Sequence, residues 1–183
     1  MRHFRVPGHP FWAWSHDRAR PFGVIALCLL LAGCFTSTGP KFPLSGAVAA
    51  LGEGGHYVAY ERQDDGSYKR EEPFEVKHRA DGAYDFIDSK GKVLTLSLHR
   101  LRRDLYVAQA SEDKGSINYV VLEVRGNEVL AYSPQCDKQD AAKLKTLGVE
   151  IRQYECVIDK VTDPMALFAA IDLGEPGSKM IRE

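Results

Sequence analysis

The side chains that could do chemistry are few and scattered. Past residue 34 the histidines are His56, His78 and His99. They fall at strand ends or inside strands, and none is spaced to share a helix face with another ligand. A zinc protease needs H-E-x-x-H, an α/β-hydrolase needs G-x-S-x-G, and nucleotide sites need a glycine-rich loop ahead of a helix. None of these patterns occurs. The expectation is therefore no catalytic residue, no metal and no cofactor, with an enzyme assembled from a dispersed site ranked last. One basic cluster remains, at His99, Arg100, Arg102 and Arg103. Guanidinium groups hold phosphate oxygens through paired N–H donors. This makes Arg100, Arg102 and Arg103 the candidate anion patch, set against the plainer reading of a solvated turn balanced by Asp104. The acidic pairs Asp64-Asp65 and Glu71-Glu72 lack the spacing of a calcium loop.

The amino-terminal residues carry a different kind of chemistry. Residues 22–33 run without a charge directly after Arg18 and Arg20. A basic stretch, an apolar run of about 7–15 residues and small residues at its end make a secretory signal. The run is shorter than the roughly 20 residues needed to span a bilayer. It closes on Leu31-Ala32-Gly33-Cys34, which resembles the lipobox of bacterial lipoprotein precursors. The resemblance implies cleavage between Gly33 and Cys34, acyl chains on Cys34, and attachment to a membrane through them. In the enterobacterial version of that family an aspartate after the cysteine retains the protein in the inner membrane. Here Phe35 stands in that place, which implies the outer membrane, facing the periplasm. The stretch ahead of the arginines is long, with Phe11, Trp12 and Trp14, and a downstream start of translation accounts for it.

That resemblance also sorts the cysteines. Cys28 leaves with the signal and Cys34 is acylated, so Cys136 and Cys156 remain as an even pair in an oxidising compartment. A structural disulfide is expected. No His or Cys lies near them at metal spacing, and they do not form the C-x-x-C of a redox pair.

The elements that must position these residues read mainly as strands. His56–Gln63, Tyr68–Arg79 (delayed to Phe74 by Pro73), Ala83–Asp88, Lys92–His99, Leu105–Ala110, Ile117–Val124 and Val129–Tyr132 alternate with turn residues. Short connections make such strands antiparallel neighbours. An internal repeat is suggested by Tyr57-Val58-Ala59 with Asp64, Gly66 and Ser67, echoed 49 residues later by Tyr106-Val107-Ala108 with Asp113, Gly115 and Ser116. Reuse of the same turn residues by any hairpin is the alternative. After Pro134, Asp137 is read as the cap of a short helix bearing Ala141, Leu144 and Leu147 and ending at Gly148. Val149–Ile158 is read as one late strand with a bulge near Gln153, and Asp163-Pro164 opens a second helix ended by Gly174. The tail from Glu175 is expected to be loose.

The whole is therefore expected to be a signal peptide at 1–33, a Pro/Gly/Ser/Thr-rich tether at 34–46, and one β-rich periplasmic domain at 47–183. Its fold class is mostly β (α+β): an antiparallel meander, open or curled into a small barrel, with two short C-terminal helices. Residues 1–33 carry four arginines and one aspartate, leaving 20 Lys+Arg against 24 Asp+Glu in the remainder. A mildly acidic chain is poorly suited to nucleic acid, which is bound by neutralising phosphates. The expected partners are the membrane, through Cys34, and a periplasmic protein or envelope component. A binding or structural role leads, with a small β-barrel inhibitor or lipophilic-ligand carrier as the alternative.

Overall fold

The computed structural model describes residues 35–111, 115–153 and 155–183. The signal segment with Gly33 and Cys34, the turn residues 112–114 and Tyr154 lie outside the described residues. The strands are β1 (Phe35–Ser37), β2 (Gly54–Arg62), β3 (Tyr68–His78), β4 (Tyr84–Ile87), β5 (Val93–Arg102), β6 (Leu105–Ser111), β7 (Ile117–Arg125), β8 (Glu128–Tyr132), β9 (Glu150–Arg152), β10 (Glu155–Val157) and β11 (Ser178–Arg182). The helices are α1 (Ala141–Thr146) and α2 (Pro164–Ala170).

Strands β2 to β8 follow one another as an antiparallel meander, and β6 pairs with both β5 and β7. Strand β11 lies between β2 and β8 and closes the ring, so the order β6-β5-β4-β3-β2-β11-β8-β7 is an eight-stranded barrel. The side-chain period of two divides each wall. On β5, β6 and β7, Leu96, Leu98, Tyr106, Ala108, Ala110, Val120 and Leu122 face inward with Tyr57, Phe74, Tyr84, Phe86 and Met180. A barrel of eight strands is just wide enough for side chains to fill or for one small ligand, and these buried side chains line its interior. The alternate residues Leu105, Val107, Ile117, Tyr119 and Val121 face outward and are buried too, because α1, α2, β1 and β10 cover that sector. The protein thus has two cores separated by one wall of strands.

The echoed segments lie across the ring from one another. Four strands, β2 to β5, face four others, β6, β7, β8 and β11, around the ring. Tyr57 and Ala59 on β2 and Tyr106 and Ala108 on β6 all point into the barrel from opposite walls. Asp113 falls outside the described residues.

Six expectations need correction. Residues 35–46 are not a tether. Phe35 is 0% exposed and pairs with Tyr119 on β7 and Cys156 on β10, and Phe42 is buried in the outer core. The pairing partners come from distant parts of the chain, which a local reading of Pro, Gly, Ser and Thr cannot register. The tail is not loose: β11 supplies ladder bonds to β2 and β8 that close the ring. The late strand is two strands, β9 and β10, folded back so that Arg152 faces Glu155, with Gln153 in the left-handed region at φ 48°. The cap of α1 is Asp140, whose carboxylate accepts from the amides of Ala142 and Lys143, while Asp137 lies in a preceding 3-10 turn. Pro73 does not delay β3. It stands opposite Val58, where β4 has not yet covered the other edge of β3, since that pairing starts at Glu75. The second helix is capped as expected, with Asp163 accepting from Ala166 and Pro164 in the first turn, but Gly174 does not end it: the helix stops at Ala170, where Ile171 turns extended to join the outer core.

Candidate functional site

Outside the barrel, the β5–β6 turn, the β7–β8 hairpin and the segment after α2 enclose an open cleft of about 560 Å³. Arg102, Arg103, Asp104 and Leu105 form one side. Glu123 and Tyr132 lie at the base, and Ala169 with Ile171 to Gly174 forms the other wall. Each wall is fixed by local chemistry. The turn Gly126-Asn127, with Gly126 at φ 62°, sets Arg125 opposite Glu128 and Val121 opposite Tyr132. This register makes Glu123 and Tyr132 diagonal neighbours on the outer face. The far wall is held by Gln139, whose side chain donates to the carbonyl of Asp172 and accepts from its amide, both at 2.9 Å. The carboxylate of Asp172 accepts from the amide of Gly174.

The cleft sets Arg102 and Arg103 against the carboxylates of Asp104, Glu123 and Asp172. The Tyr132 hydroxyl donates to Glu123 Oε2 at 2.8 Å, and Arg125 Nε donates to Oε1 at 2.7 Å. The Arg125 hydrogen bond holds the Glu123 carboxyl below the usual carboxylate range. Burial, and then the bond to Glu123, pushes Tyr132 up to about 12. Neither group is poised near neutrality, where a general acid or base works best. Arg102 and Arg103 are exposed at the rim, and Arg103 meets Asp104 at 3.5 Å. Leu105, Ile171 and Leu173 add apolar surface.

The structure splits the basic cluster. A register shift between Arg100 and Arg102 turns Arg102 toward the outer cleft with Arg103. Arg100 stays over the ring of Tyr106, 5.5 Å from its centroid and on the barrel side. Glu123, Tyr132, Ile171 and Leu173 carry no sequence motif that marks them as site residues. The Gly126-Asn127 turn held the signal for the first two, because a two-residue hairpin loop fixes which residues face each other.

The histidines do not converge. His56 is exposed on β2, His78 packs on Tyr84 at the end of β3, and His99 is buried on β5. Among the described residues no three His, Cys, Asp or Glu side chains are grouped to hold a metal ion. His99 belongs instead to a buried polar chain beneath residues 35–46. Its Nε2 lies 3.0 Å from Ser97 Oγ and its ring stacks on Phe42 at 4.8 Å. Gln109 donates to the carbonyl of Phe42 and accepts from the amides of Lys41 and Phe42. The Tyr119 hydroxyl lies 2.7 Å from Ser37 Oγ. Burial pushes the His99 imidazole below its ordinary value, partly opposed by a hydrogen bond with the Gly46 backbone.

Cys136 and Cys156 are bonded, with Cα atoms 5.6 Å apart, inside the usual range. Cys156 faces Phe35 across β10 and β1, so the bond ties the turn after β8 to the strand that receives residue 35. No family model, curated protein or solved structure matches this chain.

Proposed function

We propose that the chain is the precursor of a bacterial envelope lipoprotein, anchored by acyl chains on Cys34, that works by binding rather than by catalysis. The observation that carries this is the order of Arg18 and Arg20, the uncharged run 22–33, and Leu31-Ala32-Gly33-Cys34. The three parts act in turn. Charge orients the segment, the apolar run engages the export machinery, and small residues admit the peptidase next to the thiol. Each buried CH₂ contributes about 0.8 kcal/mol, so several acyl chains hold firmly where one does not. Phe35 after the cysteine favours the outer membrane, facing the periplasm. The cleft at Arg102, Arg103 and Tyr132 is the proposed binding region, because it opens to solvent and carries two exposed arginines at its rim. A lipophilic-ligand carrier would instead use the barrel interior lined by the inner core.

Expression in a bacterium that acylates lipoproteins tests the anchor. Intact mass should correspond to residues 34–183 plus acyl groups, with the protein in the membrane fraction, and Cys34→Ser should lose both. A mature species that retains residues 1–33, or lacks acyl mass, sinks the reading.

A further inference from the structure

The segment behind the proposed acylation site has no slack. Phe35 is paired on both edges and fully buried. Thr38 donates through its amide to Asp159 Oδ1 at 2.8 Å, and the amides of Lys41 and Phe42 are held by Gln109. Consecutive Cα atoms are about 3.8 Å apart, so acyl chains on Cys34 start one residue from the wall of the domain. The position along that wall is also set. The edge of β7 passes from β8 to β1 within two residues, since Val121 faces Tyr132 and Tyr119 faces Phe35. Two residues along a strand cover roughly 7 Å, and Tyr132 lines the cleft. The proposed anchor therefore attaches beside a cleft that offers the half-buried Ile171 and Leu173 together with the exposed Arg102 and Arg103. Of the carboxylates lining the cleft, Glu123 is met by Arg125 and Tyr132 and Asp172 by the Gly174 amide, which leaves Arg102 and Arg103 against Asp104 at the rim, and a lipid presents an acyl chain for the apolar residues and a phosphate for the two arginines.

We infer that the domain sits directly on the bilayer in one orientation, with this cleft in the headgroup layer, where Arg102 and Arg103 take the phosphate of a membrane lipid. The inference rests on the proposed acylation of Cys34. It follows that the domain has no reach of its own, and any protein partner must come to the membrane surface.

The two tryptophans of the sequence, Trp12 and Trp14, precede the cut, so a single introduced tryptophan reports alone in the mature chain. Leu173→Trp and Ile171→Trp place it in the cleft. Val93→Trp places it at a site 50% exposed at the far end of β5, nine residues or about 30 Å from Arg102 along the strand. Residues 34–183, with the disulfide intact, are coupled through the Cys34 thiol to a maleimide lipid. The vesicles are phosphatidylglycerol doped with a headgroup nitroxide lipid. Both cleft reporters should be quenched at least about threefold more than the Val93 reporter. Twelve Gly/Ser residues inserted after Cys34, a linker reaching about 20 Å, should bring them to parity. Arg102→Ala with Arg103→Ala should cut the cleft quenching at least about twofold without the linker. Equal quenching at the two ends would overturn the fixed orientation, and cleft quenching indifferent to both arginines would overturn phosphate as the ligand. Coupling supplies the anchor chemically, so these outcomes are separate from the mass measurement that tests acylation.

Discussion

At the scale of single residues, two positions carry more than their type suggests. Gly54 opens β2 at φ 92°, and a Cβ there would lie 2.1 Å from the carbonyl oxygen of Val76. No side-chain rotation relieves a clash with backbone across a ladder. Gly54→Ala should cost about 3 kcal/mol or more, read as a lower denaturation midpoint in urea. His99 is the second. Its imidazole faces Phe42, Ser97 and the Gly46 backbone, and burial lowers its folded-state value below the ordinary 6.5. Between the folded value and 6.5 the unfolded chain binds more protons, so stability rises with pH across that window and falls as acid is added. Melting temperature measured from pH 7.5 to pH 5 should drop, and the drop should shrink in His99→Gln, whose amide cannot take up a proton. An unchanged pH profile in that variant would assign the effect elsewhere.

At the scale of elements, the outer core depends on pieces too short to persist alone. Helix α1 has six residues, and isolated helices below about 12–15 residues are marginal in water. Strands β1, β9 and β10 have three residues each. The disulfide and Phe35 bind them into one unit. On the chain-entropy model a closed loop of about 20 residues contributes roughly 3 kcal/mol. Replacing both Cys136 and Cys156 by alanine should lower the melting temperature by about 10 °C, with the far-UV signature of the barrel retained. Phe35 touches Phe168 at 5.7 Å between ring centroids, so Phe35→Ala empties the centre of the same layer. It should cost about 3–5 kcal/mol and expose residues 36–46 to limited proteolysis, where a free tether would already be cut in the wild type. The periodicity of β2 to β8 was legible from sequence, as were the caps Asp163 and Gly148. The placement of residues 35–46 was not, because their hydrogen bonds go to Gln109, Tyr119 and Asp159, 68, 82 and 121 residues away.

At the scale of the whole molecule, closure depends on the last strand. β11 is the bridge between β2 and β8, and without it two β edges and the Met180 position of the inner core lie open. A chain ending at Gly177 should lose cooperative thermal unfolding and near-UV dichroism. Retention of both would mean that the meander closes by other pairings. The sequence by itself determined the alternation that builds the wall, the hairpin turns and the pattern around Cys34, since all of these are written in residues within a few places of one another. The disulfide was legible too, once the lipobox resemblance had accounted for the other two cysteines. Tertiary structure alone decided that the meander closes rather than staying open, that residues 35–46 belong to the domain, and that Arg102 and Arg103 line one cleft with Tyr132 and Leu173 while Arg100 turns away. The physical reason is common to all three. Strand edges and cleft walls are completed by hydrogen bonds and contacts between segments far apart in the chain, and local periodicity records which face a residue takes but not which distant edge it meets.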